Sequence, residues 1–155
     1  MIIKSVRAVL FGILLALGLG ALVILGIVAP VFTRFFGPEL VPTAPSAITI
    51  PAILVAFAAA FAFYFGSMYA SYKAPSRRRL HGVLVGMVSF AISPLVNLAA
   101  GDDPFANLRT PEASLFTGVL FVVILAASYV GARRGEALYA HNQAYIRRQR
   151  RRQGK

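Results

Sequence analysis

Four stretches of this chain, residues 8–33, 40–72, 80–101 and 113–132, contain no Asp, Glu, Lys or Arg. A helix rising 1.5 Å per residue needs about 20 apolar residues to cross about 30 Å of hydrocarbon. Each stretch is long enough. A soluble helix keeps one polar face, and a membrane barrel strand alternates apolar and polar residues over about 10 positions. These runs do neither. The expected fold class is therefore all-α, a polytopic membrane protein with four transmembrane helices at about 8–33, 47–72, 80–100 and 111–132.

Composition agrees once the charges are placed. The 155 residues are 58% hydrophobic and 14% charged, yet 16 cations against 5 acids leave a formal charge of +11. A nucleic-acid binder carries such a charge on a polar surface, and a mean hydropathy of +0.72 leaves no room for one. The absence of Cys excludes a disulfide-stapled secreted domain.

Lys4 and Arg7 precede the first run, and the run itself is far longer than the apolar core of a signal peptide. Its best small-residue cleavage site, Ala29, is followed by Pro30, so it is expected to be a retained anchor. Pro38, Pro42 and Pro45 break the next connection. Gly101 is placed to cap the third helix. Thr110, Pro111 and Glu112 read as an N-cap, a first-turn Pro and a first-turn acid for the fourth.

The cations then sort to one side. Lys4, Arg7, Lys73, Arg77, Arg78, Arg79, Arg133, Arg134, Arg147, Arg148, Arg150, Arg151, Arg152 and Lys155 share a face with Glu136; Arg34 and Arg109 share the other with Glu39, Asp102, Asp103 and Glu112. The faces carry +13 and −2. By the positive-inside rule both termini and the middle loop are cytoplasmic, as in an inner (plasma) membrane protein with multiple passes. An odd number of spans would scatter the charges.

Helices in lipid associate through close backbone approach, so small residues four apart mark packing faces. Gly12, Ala16 and Gly20 share one on the first helix. Ala58, Ala62, Gly66 and Ala70 form one on the second, beside an aromatic ridge of Phe57, Phe61, Phe65 and Tyr69 expected to face lipid or a neighbour. Gly82 and Gly86 begin one on the third; the fourth offers Ala127 and Gly131. These ridges serve either the bundle's own packing or a partner. The third helix is the most polar: Ser89, Ser93, Pro94 and Asn97 form a possible translocation or packing stripe, with a kink expected at Pro94. No run holds an ionisable group in its middle, which argues against a pump or transporter site. His81 reads as an interfacial imidazole.

The chain has no HExxH, no Cys or His cluster, no GxSxG and no Gly-rich loop ahead of a Lys. Catalytic, cofactor-binding and metal-binding residues are therefore expected to be none. Asp102, Asp103 and Glu112 read as a solvated loop rather than a cation site.

Two domains are expected: a bundle over residues 1–146, its last helix running on past the membrane, and a polybasic tail at 147–155. The arginines at 77–79, 133–134 and along the tail are the candidate contacts for anionic lipid or a partner. The tail has three readings: it fixes topology on anionic lipid, it docks an acidic protein, or it touches nucleic acid. A bare Arg run without aromatic interleaving gives little ground for the last. Ala70-Ser71-Tyr72 and Ala127-Ser128-Tyr129, each followed by paired Arg, hint at two hairpins in one orientation.

From Gly66 to Gly86, a basic Ala-Pro loop runs into Leu80, His81, Gly82 and then Leu84, Val85, Gly86. This region resembles the middle loop of small bacterial four-helix membrane proteins of unknown function. The resemblance implies the hairpin arrangement and a bacterial inner membrane; it carries no activity. The expected function is a non-catalytic accessory or scaffold subunit of a larger membrane assembly, bound to lipid and to other membrane subunits or a second copy. The alternative is a small oligomeric channel or transporter using the third-helix stripe.

Overall fold

The computed structural model describes residues 2–36, 45–99, 101, 103–105 and 108–153. Among them every regular element is a helix: α1 (Ile2–Val23), a π-helical turn (Ile24–Val28), α2 (Ala29–Phe36), α3 (Pro45–Lys73), α4 (Arg78–Ala99) and α5 (Pro111–Arg152). Four helices are long and apolar enough to cross a membrane: Ile3–Val31, Ala52–Lys73, Arg78–Ala99 and Pro111–Arg152. The Pro38, Pro42 and Glu39 assignments lie outside the described residues, as do Asp102 and Lys155.

Local chemistry accounts for the helix ends. Thr110 accepts a 3.2 Å hydrogen bond from the Ala113 N–H at the start of α5, with Pro111 in the first turn. Gly101 closes α4 at φ +83°, its N–H donating to the Leu98 carbonyl at 3.2 Å. This left-handed backbone is what glycine tolerates. The π turn has a cause two residues on. A proline in a helix lacks an N–H and its ring presses on the carbonyl four residues earlier. Pro30 would press on Gly26, and the backbone widens there so that the Ala29 N–H reaches back to Ile24. The sequence reading of one even span at 8–33 carries no sign of this turn. Pro94, by contrast, is accommodated within α4, which continues to Ala99.

α3 and α4 form the inner pair, each packing on the other and on both α1 and α5; the most extensive seam joins α3 to α5. Ala16, Ala58, Ala62, Ala70, Val85 and Ala132 are buried in the core of the bundle. Apolar side chains remain outward around the whole bundle, with Leu25 71%, Phe57 70%, Leu95 63% and Leu115 71% exposed. An apolar belt of that extent is far beyond the patches soluble monomers expose; it suits lipid. The aromatic ridge divides: Phe57 and Phe61 point outward, whereas Phe65 and Tyr69 are half-buried.

The seams use backbone contact. A Cβ on Gly66 would lie 2.5 Å from the Gly12 carbonyl oxygen and 2.7 Å from Ala16 Cβ, and one on Gly12 would lie 2.8 Å from Ala70 Cβ. Gly20 is looser, with Ala62 Cβ at 3.6 Å. Gly86 abuts Ser128 and Gly82 abuts Ala132, joining α4 to α5. Gly131 and Gly135 of α5 lie directly on the carbonyls of Tyr64 and Met68 in α3. Ser71 Oγ locks that seam by donating to the Ala132 carbonyl at 2.7 Å.

Gly66→Ala is expected to destabilise the bundle by about 1–3 kcal/mol, since backbone atoms cannot yield to the added methyl as a side chain would. Gly118→Ala has open space around it and is expected to leave stability unchanged or raise it by up to about 1 kcal/mol through helix propensity. Thermal melting of both variants in one detergent reads the difference in sign.

Candidate functional site

Two concave sites lie at opposite ends of the bundle. The first begins at the turn between α3 and α4, residues 74–77, where Arg77 takes a positive φ of 42°. The turn is shorter than the sequence reading of a cationic connection: Lys73 ends α3, while Arg78 and Arg79 open α4. Cations at a helix N-terminus oppose its dipole, and each has a compensating partner. The Arg78 guanidinium donates to the Tyr72 carbonyl at 2.8 Å and to that of Ser71 at 3.4 Å, capping the end of α3. It also lies 3.2 Å from the centre of the Tyr139 ring. Arg79 forms an ion pair with Glu136.

These contacts tie α5 to the bundle beyond its apolar run. Tyr72 meets the edge of Tyr139 at 6.1 Å between ring centres, and Asn142 Nδ2 donates to the Tyr72 hydroxyl at 2.8 Å. Gln143 Nε2 donates to the Tyr139 hydroxyl at 3.2 Å. From there α5 runs on unbroken to Arg152. The segment from Gln143 to Arg152 holds five Arg and two Gln, both good helix formers, and no Gly or Pro. The tail expected at 147–155 is thus, as far as Arg152, the end of a 42-residue helix.

A groove of about 620 Å³ opens between the start of α4 and this free half of α5. Arg78, Arg147, Arg148 and Arg151 line it with Glu136, Tyr139 and Gln143. The candidate contacts therefore separate. Arg78, Arg147, Arg148 and Arg151 come together; Arg79 is engaged by Glu136; Arg77, Arg133, Arg134, Arg150 and Arg152 are exposed outside the groove.

The second site is a cavity of about 720 Å³ at the other end, between α4, α5 and Pro104, Phe105 and Leu108, with Ile13, Leu17 and Phe63 behind. Ser89, Ser93, Pro94 and Asn97 all line it, joined by Ser114 and Thr117. Among the described residues no charged one does. Ser89 Oγ is buried without a hydrogen-bond partner. The cavity ends at Ile124, one turn before the Gly86–Ser128 contact closes α4 on α5. Apolar walls with a few hydroxyls and an amide suit a neutral, largely apolar molecule. At the rim Asp103 pairs with Arg109 and accepts from the Phe105 N–H at 3.0 Å.

The predicted packing residues Gly12, Ala16, Gly20, Ala58, Ala62, Gly66, Ala70, Gly82 and Gly86 face other helices of this same chain. Sequence reasoning missed Gly135 as partner of Gly131. The four-residue spacing was its signal, but Arg133 and Arg134 lie between the two and mark the end of the apolar run. It also missed the Arg78–Tyr139 stack, which joins residues 61 positions apart. Comparison of the chain with protein families, with characterised proteins and with solved structures gives no match.

Arg78→Lys keeps the charge but gives up the planar stack on Tyr139 and the Nη1 that reaches the Ser71 and Tyr72 carbonyls. Amide exchange over residues 136–145 is expected to accelerate roughly tenfold, as local opening there becomes easier. Exchange at Gly131 and earlier in α5 should be unchanged.

Proposed function

We propose that the chain is a non-catalytic scaffold subunit of a bacterial inner-membrane assembly, with both termini and the 74–77 turn on the cytoplasmic side. The observation that carries this reading is the length of α5. Forty-two helical residues extend about 63 Å, roughly twice the hydrocarbon thickness, so the helix spans the membrane and stands out of it. Lys73, Arg77, Arg78 and Arg79, in and beside the 74–77 turn, lie at the same end of the bundle as the cations of the α5 extension, in line with the +13 and −2 division. The small-residue seams are consumed within the chain, which leaves the projecting helix and the apolar belt as the surfaces on which partners assemble.

A second reading, a small oligomeric channel or transporter, draws on the cavity that gathers Ser89, Ser93, Pro94 and Asn97. The closure below Ile124 and the lack of a lining charge among the described residues favour the scaffold.

Purification in mild detergent with mass spectrometry of co-purifying chains is expected to recover a stoichiometric partner that is lost when residues 147–155 are deleted. A lone monomer from both chains would overturn the scaffold reading. Asn97→Leu should leave recovery of the partner unchanged; solute flux in vesicles abolished by that substitution would establish the channel instead. A cytoplasm-dependent reporter fused to the C-terminus is expected to be active, and activity only on the outer side would overturn the orientation.

A further inference from the structure

The groove on α5 has a chemistry of its own. Among the described residues the ion pairs are Arg79–Glu136 and Arg109–Asp103. Glu136, at the groove's inner end, is taken by Arg79, and Arg78 there is engaged by the Tyr72 carbonyl and the Tyr139 ring, which leaves Arg147, Arg148 and Arg151 facing the groove without a carboxylate partner. Three such guanidinium groups along one concavity call for an anion, and three sources are available: lipid headgroups, nucleic acid, or an acidic protein segment.

Geometry disfavours lipid. Taking Arg133 as the membrane boundary, as the four-span reading gives it, Arg147 lies about 21 Å and Arg151 about 27 Å farther along an upright helix. The headgroup layer is only about 5–8 Å thick, and charge is screened over about 8 Å at physiological salt. The groove's inner end, at Arg78 and Glu136, begins at the boundary, but its outer arginines, Arg147, Arg148 and Arg151, stand more than one screening length clear of the bilayer. Arg133 and Arg134, at the boundary and outside the groove, are the residues the lipid surface meets.

Stacking disfavours single-stranded nucleic acid. Such strands bind where bases stack on aromatic faces. Tyr139 is the aromatic residue lining the groove, and it is engaged by Arg78 at 3.2 Å over one face and by Tyr72 at its side.

Spacing favours a protein helix. Arg147 and Arg151 are one turn apart, about 6 Å along the axis, with Arg148 beside them. Carboxylates at i and i+4 of a second helix repeat with the same rise, and the guanidinium fork meets each one bidentately. Gln143, one turn before Arg147, adds an amide.

We propose that this groove is the docking site for an acidic helical segment of a cytoplasmic partner, held by Arg147, Arg148 and Arg151 against α5. The inference rests on the scaffold reading and names the partner's chemistry.

The test uses the full chain in nanodiscs of zwitterionic lipid and a labelled synthetic helical peptide with Glu at repeated i, i+4 positions. Arg147→Gln with Arg151→Gln is expected to weaken binding about tenfold or more, whereas Arg150→Gln with Arg152→Gln, which removes the same charge outside the groove, should cost about twofold or less. Equal weakening by both pairs would overturn the proposal, since general attraction would then suffice. So would tighter binding of an RNA oligonucleotide of the same charge. Anionic nanodiscs should leave peptide affinity within about twofold; a drop as large as that of the groove variant would assign the arginines to lipid. Nanodiscs expose both faces, so these outcomes do not depend on orientation in the cell. If they go against the groove while a stoichiometric partner is still recovered from cells, the groove is rejected and the scaffold reading stands.

Discussion

The architecture depends on the contact of two glycines with two carbonyls. Gly131 and Gly135 of α5 lie on the backbone of Tyr64 and Met68 in α3. In lipid there is no hydrophobic force between helices, because the tails are as apolar as the side chains; packing relies on close approach and interhelical hydrogen bonds. This seam supplies both, since Ser71 donates to the Ala132 carbonyl between the two glycines. It also reaches past Arg133 and Arg134, so α5 is still held to α3 where its apolar run has ended. A helix released at Arg133 would have to stand alone in water, where isolated helices are marginal.

From that hold the rest of the basic end follows. Arg79 reaches Glu136 and Arg78 reaches Tyr139 because α5 is already fixed in register by the glycines one turn below. Tyr72, at the end of α3, becomes a bracket between Asn142 and Tyr139. The projecting half of α5 is thus given a fixed direction, and four arginines are set around one groove rather than spread over a flexible tail. The other end is built differently. There the α4 and α5 backbones part beyond the Gly86–Ser128 contact, and the polar stripe of α4 faces an apolar cavity instead of a neighbouring helix.

Much of this was legible in residue order, for physical reasons. Charge-free runs are a property of composition, so the four long helices and their approximate ends could be read directly. The caps at Thr110 and Gly101 are local chemistry and were equally visible. Gly12, Ala16, Gly66, Gly82 and Gly86 could be identified as packing residues by spacing alone, though spacing could not say that their partners lie in the same chain. What escaped was non-local. The π turn before Pro30 depends on how the helix resolves a backbone clash. Gly135 was hidden behind two arginines that mark the membrane edge. The groove needs Arg78 and Arg147 on the same side of α5, and nothing in a run of arginines says which of them turn inward.

The central claim is that α5 is one continuous helix from the bundle into water. The chain has no Cys, so spin labels at Val119→Cys and Gln149→Cys, with both positions exposed on α5, report on it cleanly. The measurement is the pulsed electron-resonance distance between the two labels in nanodiscs. A single narrow distribution near 45 Å, the rise of 30 residues of α-helix, is the predicted result. A broad distribution, or one centred well below that value, would mean that α5 breaks or bends at the membrane edge and would contradict the account.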